Sequence, residues 1–346
     1  MNVSVIGNFG YISNQIDGQT VKTREIYSAI KKYSYFKADF VDLDQWQKRF
    51  NLVLLIIYSV VRSDAILFMP GVNALKFLSP LLIILCTVFR VKIYYIVVGG
   101  WFSDLAARNN YIKICASYFD NIFVELPSMQ TSLKNSGISS MVLHNFRDVS
   151  ELAKNKIQCN LDCNHQAEIR LVYYSRVMKE KGINEALQVA RNLKNKNVKL
   201  DIFGQINDPS LKHYLSNIKD TNISYKGILT PGDEIYEYLS QYDYLLFPTV
   251  YPGEGYPGAL VDSIISGVVP VVTDWKYNSE ILNFLDVGFI FSPDNYVSCT
   301  TSMINNHEYD RLQEMKNKCY LISKKFYAEV AIKTISMVIH NDHKKI

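Results

Sequence analysis

The chain has 346 residues, 48% hydrophobic and 20% charged, a composition that supports two ordinary folded domains with their own cores and excludes long disorder. Its formal charge of +4 divides unevenly, with 15 Lys and Arg against 10 Asp and Glu in residues 1–150 and 22 against 23 in the rest. A basic first half suits anionic lipid or phosphate ligands, but the excess is too small and scattered for a nucleic-acid partner. Six cysteines at irregular spacing point to reduced thiols and a cytoplasmic chain.

In chain order, residues 1–6 alternate like a first strand and lack the basic residues of a signal peptide, so export is not expected. The strand over 3–6 runs into Gly7, Asn8, Phe9 and Gly10, and Gly18 precedes a helix starting near Gln19. Glycines there let the backbone approach a ligand closely. The dinucleotide fingerprint is out of register, and alone this loop reads first as a generic strand-to-helix turn. Strands are expected over 38–43, 65–69, 93–98, 121–125 and 141–144, alternating with helices as in a parallel sheet with right-handed crossovers. Asp42, Leu43 and Asp44 form an Asp-x-Asp that reads as an exposed strand end ahead of a metal site. The apolar runs 50–61 and 77–89 fall short of the roughly 20 residues that cross a bilayer. Both read as buried core helices. The rival is a monotopic membrane contact, since Lys76, Arg90 and Lys92 flank the second run.

Residues 148–168 are polar, rich in Asn, Lys and Gln, and read as a domain linker. They hold Cys159, Cys163 and His165, whose spacing does not fit a zinc ribbon. The second half is expected to have strands over 169–174, 198–203, 223–225, 244–247, 268–272 and 289–291. After the first of these, Arg176 and Lys181 lie five apart across a turn with Gly182 near a helix start, a pair of cations suited to a diphosphate. The most informative stretch is 246–274: buried strand, glycine- and proline-rich loop over 248–257, helix over 258–267, second buried strand. It carries Glu254 and Asp262 eight residues apart, with Glu254 at a strand's carboxyl end, where open α/β sheets bind ligands, and with helix-start amides behind it. Asp262 lies on the helix and Glu254 before it, so spacing does not establish the facing carboxylates of a glycosidase.

The segments YYSRVMKEKGINEAL, with Arg176 and Lys181, and PTVYPGEGYPGALVDSIISGVVPVV, with Glu254, resemble the two hallmark motifs of retaining family-4 glycosyltransferases. The resemblance covers nearly the whole chain, including the first glycine loop, VLHNFR at the end of the first half, YKG at Gly227 and a carboxy-terminal helix pair. It implies an α/β fold of GT-B architecture, two Rossmann-like domains with parallel sheets and a cleft between them. The implied division is an acceptor-binding domain over 1–147, the linker 148–168, a donor-binding domain over 169–325, and a helix over 326–346 that crosses back to the first domain. Arg176 and Lys181 match the positions that hold the donor diphosphate. Glu254 matches the acid that contacts the donor sugar, and these three are the expected catalytic residues. Asp262 matches the acid that holds the ribose, where the family has Glu. Gly204, Gly227, Gly255, Tyr256, Pro257 and Gly258 complete the expected donor site, with Gly10, Gly18, Gly99 and Gly100 in the first-domain loops. Where many relatives carry a histidine, this chain reads Gly99, Gly100, Trp101, a glycine pair resembling capsule-type members.

The implied activity is metal-independent sugar transfer with retained configuration, without a cofactor. The donor is a nucleotide-sugar, UDP by default, and the acceptor a saccharide, lipid-linked, in the assembly of bacterial capsule, O-antigen or a similar surface glycan. The location is cytoplasmic, with a possible peripheral contact at the inner face of the plasma membrane. A sugar-nucleotide-binding subunit without catalysis is the alternative, and an NAD-linked oxidoreductase lacks the glycine fingerprint.

Overall fold

A computed structural model describes residues 1–15, 18–162, 168–194, 196–229 and 232–344, which fall into two compact units, 1–148 with 326–346 and 149–325. Unit 1 runs β1 (Asn2–Gly7), α1 (Gly18–Tyr33), β2 (Lys37–Asp42), α2 (Leu52–Arg62), β3 (Ala65–Met69), α3 (Val72–Phe89), β4 (Lys92–Ile96), α4 (Trp101–Arg108), α5 (Asn110–Ser117), β5 (Asn121–Val124), α6 (Pro127–Asn135) and β6 (Met141–Val142). Its six strands are parallel in the order β2-β1-β3-β4-β5-β6. Apolar runs such as Ala65–Met69 are buried at every position, the pattern of a strand covered on both faces.

Unit 2 runs α7 (Glu151–Asp162), β7 (Ile169–Tyr174), α8 (Ile183–Asn192), β8 (Val198–Phe203), α9 (Pro209–Ser216), β9 (Ile223–Gly227), α10 (Glu234–Leu239), β10 (Tyr244–Phe247), α11 (Gly258–Ile265), β11 (Val269–Thr273), α12 (Asn278–Leu285), β12 (Phe289–Phe291), α13 (Tyr296–Asn305) and α14 (Tyr309–Ile322). Its sheet is also parallel, in the order β12-β11-β10-β7-β8-β9. The order reverses between β7 and β10, which pair at Tyr244 with Leu171 and Leu245 with Val172. Such a switch point leaves a crevice at the strands' carboxyl ends. The chain then returns to unit 1 as α15 (Ala328–His343), whose Ile332, Ile335 and Ile339 are wholly buried in the core with Val3, Val5, Ile26 and Ile30.

Three expectations change. Most of the presumed linker is a helix, α7, which buries Ala153, Ile157 and Leu161 at a spacing of four and packs on α10, where Asn160 Nδ2 donates to Ser240 Oγ at 2.8 Å. Its polar composition masks this narrow stripe; Cys163 and His165 lie outside the described residues. The apolar runs form α2 and α3, but each is buried on one face only. Phe50, Leu54, Tyr58, Phe77, Ile84 and Val88 are exposed. α3 begins at Val72, reaches 18 residues, and is long and apolar enough to cross a membrane by length and composition. Its buried face, Ala74, Leu75, Leu78, Ser79, Leu82 and Cys86, nevertheless lies in the crossover between paired strands β3 and β4.

Asp42 and Asp44 are also not an exposed strand end, being 9% and 5% accessible. Asp42 accepts from the amides of Phe9 and Tyr11 at 2.9 and 3.0 Å, and Asp44 from the Ser13 amide at 2.6 Å and its hydroxyl at 2.7 Å. The loop after β1 turns away from the sheet, so its amides have no ladder partner, and the two carboxylates supply one.

Candidate functional site

The site of unit 2 is built on the adjacent carboxyl ends of β7 and β10. β7 ends at Tyr174, and the chain turns through Arg176 and a 3-10 turn, Lys179–Lys181, before Gly182 opens α8 with φ 79°. A Cβ on Gly182 would stand 2.2 Å from the Pro248 carbonyl oxygen, so only glycine lets this turn meet the loop after β10. Gly204, after β8, has φ 147° and a Cβ position 1.7 Å from the Ser175 oxygen, which packs the β8 end on the same turn. The Val250 amide donates to the Glu180 carbonyl at 2.8 Å, and the Tyr173 hydroxyl donates between the carbonyls of Arg176 and Lys181 at 3.0 and 3.2 Å. The two loops are therefore locked together by backbone as well as side chains.

Lys181 Nζ lies 2.8 and 2.6 Å from the two carboxylate oxygens of Glu254, both residues being under 10% accessible. Thr249 Oγ1 donates to the same carboxylate at 2.7 Å. Lys181 Nζ and the exposed Arg176 guanidinium lie 4.8 and 5.3 Å from the Tyr251 ring centroid, near enough for its π face to attract both cations. The Trp275 indole fixes this loop by donating to the Tyr251 carbonyl at 2.8 Å. Arg176, Lys181 and Glu254 thus converge on Tyr251. They do so as an acid–cation pair flanked by a second cation, instead of two cations beside a separate acid.

Gly255, Tyr256 and Pro257 lead from Glu254 to the start of α11 at Gly258. Asp262 is in the second turn of α11 and 5% accessible; Gly267, with φ 68°, lets the Val268 amide reach the Ser263 carbonyl at 2.8 Å and close the helix two residues earlier than expected. Gly227 ends β9, and its carbonyl accepts from the Gly204 amide at 2.9 Å. A second buried pair, Lys316 with Asp243 at 3.0 Å, lies at the opposite, amino end of the sheet, where Asp243 Oδ2 accepts from the Arg170 amide at 2.8 Å. That position makes it structural.

In unit 1 the expected glycines separate into three places. Gly10, φ 67°, belongs to the loop held by Asp42 and Asp44; Gly18 is the first residue of α1; Gly99, φ 85°, and Gly100 lie between β4 and α4. The Gly99 amide donates to Glu125 Oε2 at 3.3 Å, and Glu125 Oε1 is 2.5 Å from Lys22 Nζ, with both side chains buried. The Trp101 indole donates to the Val98 carbonyl at 2.9 Å. Lys22 and Glu125 were not expected here. The signal was an acid ending the apolar strand NIFVE, counted as part of that strand. Thr249 and Tyr251 were likewise inside a recognised loop without a role.

Residues 164–317 match the family model described as Glycosyl transferases group 1. No curated protein matches the chain. Among solved structures, Anabaena Alr3699/HepE in complex with UDP-glucose is 13% identical with a TM-score of 0.66, over 99% of this chain and 100% of that one. Sucrose-phosphate synthase from Thermosynechococcus elongatus is 11% identical with a TM-score of 0.66 over 100% of both chains. The pneumococcal O-GlcNAc transferase GtfA, in complex with UDP and GlcNAc, is 16% identical with a TM-score of 0.61, covering 84% of this chain and 59% of that one. At these identities the likeness is one of fold, and with the two parallel six-stranded sheets it is that of GT-B glycosyltransferases. The chain therefore has the GT-B fold, and the part of it over residues 164–317 is similar to the Glycosyl transferases group 1 model.

Proposed function

We propose that the chain is a retaining, metal-independent glycosyltransferase. It moves a sugar from a nucleotide-sugar, UDP by default, to a lipid-linked saccharide met at the inner face of the plasma membrane, in bacterial surface-polysaccharide assembly of the capsule or O-antigen kind. The observation that carries this reading is the gathering of Lys181, Glu254 and Arg176 around Tyr251 at the β7–β10 switch point. Unit 2 is the donor side and unit 1 the acceptor side.

In this reaction the bond from the anomeric carbon to the diphosphate breaks and its electron pair leaves with the diphosphate. The acceptor oxygen arrives on the same face and gives its proton to the departing group. The barrier is charge separation. Arg176, the Lys181 donor not directed at Glu254, and the amide end of α11 meet the growing negative charge, a kind of contribution worth about 3 to 4 kcal/mol per preorganised donor. Glu254, oriented by Lys181 and Thr249, accepts from the donor-sugar hydroxyls, and Asp262 from the ribose.

The test is a thermal-shift panel of UDP-, GDP-, TDP- and CMP-sugars, since a ligand at 100 times its Kd adds about 2.7 kcal/mol. A response confined to one nucleotide supports the reading, and none to any nucleotide removes it. The second reading, a sugar-nucleotide-binding subunit without catalysis, is favoured by Gly99, Gly100 and Trp101, where no imidazole is offered. It predicts binding without donor turnover, whether or not acceptors are present.

A further inference from the structure

On unit 1, α2 packs on α3 and α3 on α5, with the Tyr111 hydroxyl donating to the Lys76 carbonyl at 2.6 Å. A surface helix of a soluble domain turns a polar face outward. The outer faces of α2 and α3 are mainly apolar instead, and α5 adds Tyr111 and Ile114 beside Asn110, Lys113 and Ser117. Between α3 and α5 runs an apolar groove of about 460 Å³, lined by Pro80, Ile84, Val88, Tyr111, Ile114 and Tyr118. Ile84, Val88, Ile114 and Tyr118 are each at least 60% exposed, and Phe77 and Leu54 continue the apolar surface beside it at 68% and 69%. A contiguous patch of this kind marks a binding surface, unlike single exposed apolar residues.

The charge around the patch identifies what covers it. From Trp46 to Asp120 the chain holds eight Lys and Arg against three acids, Asp64, Asp104 and Asp120, the last paired with Lys92 at 2.8 Å, and α2, α3 and α5 contain no acid at all. Arg62, Arg90, Arg108 and Lys113 are exposed. Exposed apolar side chains with exposed cations on the same and adjoining helices suit a surface that is apolar inside and negative at its boundary. We infer that the α3–α5 groove, with the outer face of α2, docks onto an anionic phospholipid bilayer, Ile84, Val88, Ile114 and Tyr118 entering among the acyl chains and the cations meeting the phosphates. α3 lies on this surface and does not cross it, because its inner face is buried against the sheet and its ends are tied to β3 and β4. The inference rests on the lipid-linked acceptor only for its setting; its test reads membrane affinity and no sugar chemistry, so either can fail alone.

The test is co-sedimentation of the full chain with vesicles of phosphatidylcholine and phosphatidylglycerol, against phosphatidylcholine alone. The expected result is retention on the anionic vesicles and little on the neutral ones. Val88→Asp with Ile114→Asp should abolish retention without moving the thermal melt, and Arg90→Glu with Lys113→Glu should weaken it at least about tenfold. No retention of the wild type, equal retention of the Asp variant, or a concentration-dependent dimer dispersed by the same substitutions would each overturn the proposal. The last result would assign the face to a second copy of the chain.

Discussion

Lys181 and Glu254 lie buried against one another with Thr249 completing the acid's partners. Removing one member of such a pair leaves the other charged and unpaired, at a cost of about 3 to 5 kcal/mol, while the intact pair adds little net stability. Lys181→Ala should therefore lower the urea midpoint, and Glu254→Gln introduced on top of it should recover part of the loss. Additive effects in this double-mutant cycle would deny the coupling. On the proposed reaction, Lys181→Ala should also reduce kcat about 100-fold or more at a temperature where the variant is still folded, read as sugar-nucleotide turnover; near-normal turnover would remove Lys181 from the mechanism. The two cations and the acid were legible in the sequence because charged residues between buried strands and helices stand out. Their direct pairing was not. Nothing in a spacing of 73 residues states that a lysine will sit on a carboxylate, because that depends on β7 and β10 being neighbours.

At the scale of elements, turns made possible by glycine hold the site's loops. Gly204→Ala would place a methyl group 1.7 Å from the Ser175 oxygen at φ 147°, and the expected loss is about 3 kcal/mol or more by chemical denaturation. Gly227→Ala is the control: its φ is 90°, but nothing stands within 4 Å of its Cβ position, so only the backbone cost of about 1 to 2 kcal/mol applies. In unit 1, burial tends to raise the Asp44 carboxyl, but hydrogen bonds from Ser13 and from the backbone of Ser13, Ile12 and Gln45 outweigh it and hold its pKa below the usual aspartate value. The unfolded chain then binds a proton more readily than the folded one. The stabilisation is present above the unfolded pKa of about 3.9 and is lost as pH falls through the folded value. Asp44→Asn should flatten the acid arm of a Tm–pH profile and leave the neutral plateau lowered; an unchanged acid arm would contradict the role. Strand positions were legible because buried parallel strands are short apolar runs between turn signals. The outer faces of α2 and α3 were not, because an all-round apolar helix reads the same whether its second face is covered or bare.

At the scale of the molecule, each unit has a core of its own, and α15 supplies part of the first from the far end of the chain. Ending the chain at residue 325 would strip Ile332, Ile335 and Ile339 from the side chains packed around β1 and α1. Losing several buried isoleucines at about 2 to 5 kcal/mol each exceeds the stability of an ordinary domain. Calorimetry should then show the transition of unit 1 lost and that of unit 2 retained; two intact transitions would mean that α15 is dispensable. By itself the sequence determined the alternation of strands and helices, two parallel sheets and the charged residues of the loops after β7 and β10, since these follow from local periodicity and turn chemistry. Only the tertiary structure decided that Asp42 and Asp44 hold a loop, that Lys22 meets Glu125, and that Lys181 closes on Glu254. Those outcomes depend on which distant segments become neighbours, and strand order and burial settle that.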